Sequence, residues 1–252
     1  MPPPASASSA AEKLPARTAA VWAALDPLVA AGTPLRVLDV GGGSGTLAVP
    51  LALLGHSVTV VDPSADALAT LRRRADTAGV GGSVRAVQGD GDRLHELPLT
   101  ATPGADGDYD LALCHAVLEV VDDPAVTLGE VARAVRPGGT VSVATANRAG
   151  AVLARALGGH PVEALALLDG RDPAPGRTRP AARRFGPEDL LALVRDAGLQ
   201  PGEWRGVSVV ADLLDASSGA DPDAVRRLEL RLAELSPYRD AAAGLHVLAT
   251  RP

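Results

Sequence analysis

The stretch VLDVGGGSGT places four glycines and a serine directly behind a short apolar run, with an acidic residue, Asp39, two positions before the first glycine. A strand that ends in glycines and opens a helix presents backbone N–H groups and the positive end of a helix dipole to a ligand. We therefore expect this stretch to hold a nucleotide-like cofactor. The candidate contacts are Asp39, Gly41, Gly42, Gly43 and Gly45.

The spacing of these glycines separates two kinds of cofactor. A dinucleotide loop follows G-x-G-x-x-G, and counted from Gly41 its third glycine falls on Thr46. The chain instead follows D-x-G-x-G-x-G, which resembles the first motif of class I S-adenosylmethionine (SAM)-dependent methyltransferases. SAM carries no pyrophosphate, so the resemblance implies that the loop admits its methionine tail. Asp39 would lie near the ammonium group or order water around it.

Two further apolar runs end in acidic residues. VTVVD ends at Asp62, where a carboxylate can accept hydrogen bonds from both ribose hydroxyls, although the following Pro-Ser also allows a helix N-cap. VRAVQGDGD ends near Asp90 and Gly91, which the resemblance makes the adenine-contacting residues. An Asx turn is the alternative there, and the neighbouring Asp92 leaves the register open.

The run YDLALCH ends in His115. In doubly wound sheets ligands bind beyond the carboxyl ends of the central strands, so we expect His115 to line the cofactor's methionine end or the acceptor pocket. Strand alternation turns Cys114 to the other face as a buried thiol. A carboxylate acceptor needs no base, whereas another oxygen or a nitrogen acceptor could recruit His115 or His160. We assign no catalytic residue.

The elements that position these residues alternate along the chain. Between Leu35 and Thr145, β-rich runs are separated by helical runs of about ten to fifteen residues, which is typical of a parallel sheet covered on both faces. RPGG predicts a turn before the run TVSVAT, and two late runs, GEWRGVSVVADLL and LHVLAT, bring the strands to seven. We predict an α/β fold with a Rossmann-like, mostly parallel, seven-stranded sheet, as in class I methyltransferases.

Two stretches of the chain do not follow this alternation of strands and helices. Residues 1–13 are rich in Pro, Ala and Ser and are predicted to form a disordered tail, leaving 14–252 as one methyltransferase domain. Residues 146–186 include GRDPAPGRTRPAARRF and are predicted to form an inserted lid or substrate segment. Arg183 and Arg184 within it could bind phosphates or an acidic metabolite, and a solvated loop face is the alternative.

Composition restricts the partners. With a net charge of −6 and 2% aromatic residues, the chain could hold a nucleic acid only through a local basic patch. One cysteine and five scattered histidines predict neither an intramolecular disulfide nor a metal site. We find no secretory signal and no apolar run approaching the ~18 residues that span a bilayer, and so predict a soluble cytoplasmic protein without membrane contact.

The resemblance extends past the cofactor motifs. Segments such as LCHAVLEVVDDP, RPGGTVSVATANRAG and LELRLAELSPY are similar to the bacterial tRNA methyltransferase family that esterifies 5-carboxymethoxyuridine at the wobble position. This similarity, over about residues 35–252, implies methyl transfer to an oxygen, with Tyr238 as a substrate contact. That family carries an Arg-Tyr pair where this chain has Ala243 and Gly244. The alternatives are a small acidic metabolite as acceptor, an NAD-linked oxidoreductase, and a non-catalytic binding module.

Overall fold

A computed structural model describes residues 15–99, 107–171, 182–214 and 219–252, so the predicted tail over 1–13 lies outside the described residues. Within these ranges there are seven strands and eight α-helices. The strands are β1 (Arg36–Val40), β2 (Ser57–Asp62), β3 (Val84–Gln88), β4 (Tyr109–His115), β5 (Val135–Ala146), β6 (Gln200–Val207) and β7 (Gly244–Thr250). The helices are α1 (Ala19–Val29), α2 (Ala48–Leu53), α3 (Ala65–Thr77), α4 (Pro124–Ala134), α5 (Arg148–Leu157), α6 (Pro161–Leu168), α7 (Pro187–Asp196) and α8 (Pro222–Leu232).

The strands form one sheet in the order β3-β2-β1-β4-β5-β7-β6. β1 pairs in parallel with both β2 and β4, and the pairs β2–β3 and β4–β5 are also parallel. The chain therefore reverses its direction of travel across the sheet between β1 and β4, the position at which doubly wound sheets bind ligands. The prediction of a seven-stranded, mostly parallel sheet with flanking helices is confirmed.

The last strand runs against its neighbour. Arg251 N donates to Gly139 O, 3.0 Å away, and Asn147 N donates to Ala243 O, 2.9 Å away. From the first pair to the second, the residue number increases along β5 and decreases along β7. The two strands are therefore antiparallel.

Local sequence explains the central strands and their helices. Val37, Leu38 and Val40 of β1 are almost completely buried, as expected for a strand covered on both faces. Helix α3 begins after Ser64, whose hydroxyl accepts from Ala67 N, and it buries an apolar stripe at helical spacing. That stripe consists of Leu68, Leu71 and Ala75.

The predicted RPGG turn lies inside β5. Tyr109 pairs with Val135, and the next pairing joins Leu111 to Thr140, so the residues between 135 and 140 bulge out of the ladder. Arg136 secures this bulge, because its Nε lies 2.7 Å from Asp110 Oδ1 on β4. The prediction of a separate turn was wrong because tertiary pairing absorbs it into the strand.

The described residues fall into two compact units. One, the motif unit, comprises residues 29–144, 190–202 and 247–252 except for 100–106. The other, the insertion unit, comprises the described residues of 15–28, 145–189 and 203–246. The insertion unit includes α5 and α6, which lie in the segment predicted as a lid. None of the described helices is long and apolar enough to cross a membrane.

Candidate cofactor and acceptor sites

The glycine loop connects the buried strand β1 to α2. Gly41, Gly43 and Gly45 have φ angles of +69°, +53° and +80°. Residues with a side chain rarely adopt this left-handed conformation. The backbone conformation of the loop therefore explains why glycine occurs at every second position of the motif. An added Cβ at Gly41 would also lie 2.4 Å from Cγ2 of Val117, which follows β4.

Asp39 lies directly beneath this loop. Its side chain is buried, and an added Cβ at Gly42 would lie only 2.4 Å from Asp39 Oδ2. Within the described part of the chain, Oδ2 has no hydrogen-bond partner. Burial, and secondarily the charge of Asp62, raise the pKa of Asp39 to about 7. A buried carboxylate in this state is suited to a cationic group supplied by a ligand.

Asp62 connects the end of β2 to the glycine loop. Its Oδ2 accepts from Gly43 N at 2.9 Å, and its Oδ1 accepts from Ser64 N at 2.8 Å. The N-cap of α3 is Ser64, so the alternative of an N-cap role for Asp62 is wrong. A carboxylate offers about four lone-pair sites, which leaves acceptor capacity for two ribose hydroxyls.

The ends of β1 to β4 surround a cavity of about 480 Å³, the strand-end cavity. Its lining includes Gly91 and both Asp90 and Asp92, the two aspartates between which the sequence did not decide. An added Cβ at Gly91 would lie 3.0 Å from Val40 Cγ1, so the backbone approaches β1 closely there. The remaining lining residues are Val40, Gly41, Val61, Asp62, Pro63, Gly89, Arg93, Ala116, Val117, Val120, Val121 and Asp122.

The charge of this cavity distinguishes the candidate cofactors. Four aspartates and a single arginine contribute to its lining. SAM carries a sulfonium, an ammonium and one carboxylate, and its net positive charge is attracted to such a surface. The pyrophosphate of a dinucleotide would be repelled. The residues present therefore fit SAM and do not fit NAD.

His115, at the end of β4, contacts the neighbouring strand β5. Its Nε2 lies 2.8 Å from the hydroxyl oxygen of the buried Ser142 on β5, and it is not among the residues that line the strand-end cavity. Burial lowers the pKa of His115 to about 4, although a hydrogen bond with the backbone of Ser142 acts in the opposite direction. The imidazole is therefore neutral at neutral pH. As expected, Cys114 is fully buried.

The residues that follow His115 were not among the cofactor contacts predicted from the sequence. Ala116 has a φ angle of +56°, which is uncommon for a residue with a Cβ and often marks a functional site. Ala116, Val117, Val120 and Val121 supply much of the apolar lining of the strand-end cavity. Only their position after the central strand β4 could have indicated this role, since alanine and valine carry no chemical signal.

Arg183 and Arg184 border a second cavity, of about 400 Å³, within the insertion unit. We name it the arginine cavity because Arg148 and Arg171 also line it. Arg148 Nη2 donates to Asp189 Oδ2 at 3.0 Å and to the carbonyl oxygen of Arg184 at 3.2 Å. Guanidinium groups bind carboxylates and phosphates in planar, paired geometry, so this cavity is suited to an anionic group.

Tyr238 lies elsewhere in the insertion unit and does not line the arginine cavity. Its side chain is 52% exposed. The next residue, Arg239, stacks on Trp204 with its guanidinium carbon 4.3 Å from the ring centroid.

The histidines do not form a metal centre in the described residues, where no group of three or more His, Cys, Asp or Glu side chains is placed to hold a metal ion. His56 is a core residue whose Nδ1 accepts from Leu35 N at 3.1 Å. His160 precedes α6, with its Nδ1 3.8 Å from Glu163 Oε1.

Comparison with known proteins decides the family. A family profile described as "Methyltransferase domain" matches residues 38–143. The chain is 30% identical over 240 residues to the tRNA 5-carboxymethoxyuridine methyltransferase of Escherichia coli (strain K12), which covers 94% of this chain and 88% of that protein. The chain belongs to the class I SAM-dependent methyltransferases. Its enzyme class and its cofactor, SAM, are therefore confirmed, and the oxidoreductase alternative is not supported.

Other similar proteins include an O-methyltransferase of ubiquinone biosynthesis. The methyltransferase is 33% identical over 174 residues to the ubiquinone biosynthesis O-methyltransferase of Thiobacillus denitrificans, covering 69% of this chain and 68% of that one. A solved SAM-dependent methyltransferase from Mesorhizobium loti superposes with a TM-score of 0.60 at 23% identity, covering 94% of this chain and 100% of that one. That likeness supports the fold alone.

Proposed function

We propose that this methyltransferase transfers the methyl group of SAM to a carboxylate oxygen, and that the acceptor is a carboxyl-bearing modified uridine at the wobble position of tRNA. The similarity to the E. coli tRNA 5-carboxymethoxyuridine methyltransferase carries the proposal, because it extends over 94% of the chain. The similarity to the T. denitrificans ubiquinone biosynthesis enzyme covers 69%.

The proposed cofactor contacts follow the strand ends. Asp62 accepts from the ribose hydroxyls, and Asp90 with Gly91 contacts the adenine. The glycine loop and Asp39 hold the methionine end, where the ammonium group compensates the buried carboxylate. This assignment is supported by the acidic strand-end cavity and by the orphaned oxygen of Asp39.

Methyl transfer from SAM is an in-line displacement at a sulfonium with a good leaving group. The protein's main contribution is to align the acceptor with the methyl group and to exclude water. A carboxylate is nucleophilic without deprotonation, whereas a phenol or alcohol would benefit from a general base. His115, whose pKa is lowered to about 4, is a weak base at neutral pH, which suits a carboxylate acceptor.

The anionic acceptor has a proposed binding region in the segment 146–186. In this proposal, Arg183 and Arg184 hold a phosphate or carboxylate of the substrate at the arginine cavity, and Tyr238 provides a further contact. Support comes from the clustering of four arginines around one cavity. The arginines would position the acceptor without taking part in the displacement.

A small acidic metabolite is the second candidate acceptor, and the start of β7 favours it. An added Cβ at Gly244 would lie 3.2 Å from Thr145 O and 3.4 Å from Val207 Cβ, so this backbone leaves little room for the aromatic residue of the tRNA-modifying family. Without that residue and its arginine neighbour, the enzyme would need a different means of fixing the carboxyl group.

Labelled SAM distinguishes these acceptors. The full-length enzyme is incubated with methyl-labelled SAM and with RNA or small-molecule fractions from a strain that lacks its gene. We expect label in tRNA, as a base-labile ester on the wobble nucleoside identified by mass spectrometry. Label only in the small-molecule fraction would support the second candidate. SAM binding without transfer to either fraction would contradict both candidate acceptors.

A further inference from the structure

Glu130 on α4 has a buried carboxylate that does not line the strand-end cavity. Its Oε2 accepts from His95 N at 2.9 Å and lies 2.9 Å from His95 Nδ1. Its other oxygen, Oε1, forms an ion pair with Arg133 one helical turn away. The Glu130 side chain is 3% exposed, whereas the side chains of His95 and Arg133 are 60% and 57% exposed.

The contact with His95 reaches a segment that borders the cofactor. His95 lies in the 3₁₀ helix Gly91–Glu96, and the first residues of this helix line the strand-end cavity. Helix α4 also contacts the start of the same segment, because an added Cβ at Gly91 would lie 3.2 Å from Thr127 Cγ2. Thus α4 holds both ends of the segment, Thr127 at Gly91 and Glu130 at His95.

The segment has little support of its own. Its N-cap, Asp90, makes no side-chain capping hydrogen bond, and Arg93 has non-helical φ and ψ angles of −132° and 36°. Short 3₁₀ helices have poor hydrogen-bond geometry, and a kink weakens them further. The position of Asp90 and Gly91 therefore depends on contacts from outside the segment, and the buried Glu130 carboxylate supplies a charged one.

We propose that Glu130 is a positioning residue for the adenine end of the strand-end cavity. By fixing the backbone and ring of His95, it holds Asp90 and Gly91 in the geometry that receives the adenine. The inference rests on the proposed assignment of these two residues to adenine. Glu130 touches neither cofactor nor acceptor and acts only through the segment that it holds.

The test compares Glu130→Leu with Glu130→Gln in the full-length enzyme. Leucine removes both acceptors, and we expect about tenfold weaker binding of S-adenosylhomocysteine by calorimetry, comparable to the loss when residues that orient metal ligands are replaced. Glutamine retains an oxygen that can accept from His95 N, and we expect its affinity for S-adenosylhomocysteine to fall only about threefold. Methylthioadenosine, which lacks the amino-acid part, should lose affinity by the same factors. KM for SAM should rise while kcat at saturating SAM is unchanged.

Glu229 provides a matched control. It is also buried, and its carboxylate accepts from Val209 N, Val210 N and Ala211 N at 2.8, 2.7 and 2.6 Å, but within the insertion unit. Glu229→Leu should lower Tm and leave the affinity for S-adenosylhomocysteine unchanged. Equal loss of affinity in both leucine variants would overturn the proposal.

The remaining outcomes separate this inference from the function on which it rests. Wild-type affinity in a folded Glu130→Gln variant overturns the positioning role, even if Glu130→Leu fails to fold. If the wild-type enzyme binds S-adenosylhomocysteine but Asp90→Ala does not weaken it, the adenine assignment fails instead. If Asp90→Ala weakens binding and Glu130→Gln does not, the assignment stands and only the role of Glu130 is lost.

Discussion

The candidate binding residues of the motif unit differ in kind from those of the insertion unit. In the motif unit, the candidate groups are short aspartates and bare glycines fixed at the ends of buried strands, as Asp39 and Asp62 show. In the insertion unit, they are long arginines on loops and helix ends, and two of them already pair with Asp189 and Asp169. In our proposal, the donor site therefore depends on the backbone at the strand ends, whereas the acceptor site depends on side chains.

This difference has an energetic side. Buried carboxylates interact strongly with a ligand charge because little solvent screens them, while exposed ion pairs contribute only about 0–1 kcal/mol. Changes in the motif unit should therefore alter cofactor binding sharply. Changes at the arginine cavity should alter acceptor affinity moderately and leave SAM binding intact.

The largest effect is expected for Gly42→Ala. Its new Cβ would lie 2.4 Å from Asp39 Oδ2 and 2.8 Å from Val60 Cγ1, so the loop must shift. We expect SAM affinity to fall by up to about a hundredfold, since overpacking costs about 1–3 kcal/mol and each 1.4 kcal/mol is about tenfold in affinity. Calorimetry measures the change. Gly82→Ala is the control, because nothing lies within 4 Å of its added Cβ. Near-wild-type SAM binding by Gly42→Ala would contradict the proposal that the glycine loop and Asp39 hold the cofactor.

Asp62→Asn should have the next largest effect. The substitution removes the charge and replaces one of the two oxygens that accept from Gly43 N and Ser64 N. Loss of a charged hydrogen bond costs about 2 kcal/mol, or about thirtyfold in SAM affinity. Asp66→Asn, in the exposed first turn of α3, should bind SAM like the wild type. Equal affinities of both variants would argue against the ribose role.

The double variant Arg183→Ala/Arg184→Ala tests the insertion unit. We expect KM for the anionic acceptor to rise about tenfold, because charged hydrogen bonds are lost, with SAM affinity unchanged. Arg195→Ala removes an exposed arginine of α7 in the motif unit, away from the arginine cavity, and is the control. A parallel loss of SAM affinity in the double variant would show that the two units do not divide the binding as we propose.

The smallest effect concerns Asp39 and pH. Because the folded-state pKa, about 7, exceeds the usual 3.8, the folded protein retains this proton over that interval, and the resulting stabilisation is lost as pH rises through 7. Asp39→Asn cannot ionise. Its Tm relative to the wild type, without SAM, should therefore be higher at pH 8 than at pH 5 by about 3 °C or more. A difference independent of pH in thermal melts would contradict the raised pKa.

Much of the motif unit could be predicted because its signals are local. The spacing of Asp39, Gly41, Gly43 and Gly45 reflects backbone angles that only glycine adopts easily, and a single sequence records this directly. The alternation of β-rich and helical runs predicted the parallel sheet, because this pattern too is local in the sequence. The RPGG turn was wrong because a single local pattern does not reveal that β4 pairs across it.

The sequence by itself determined the sheet, the glycine loop and the methyl donor, since each depends on short-range patterns and parallel strands bring their carboxyl ends together. Only the tertiary structure decided the rest. It placed His115 against Ser142 instead of in the strand-end cavity, and Glu130 against His95. These contacts join residues far apart in the chain, and their geometry depends on how the elements pack.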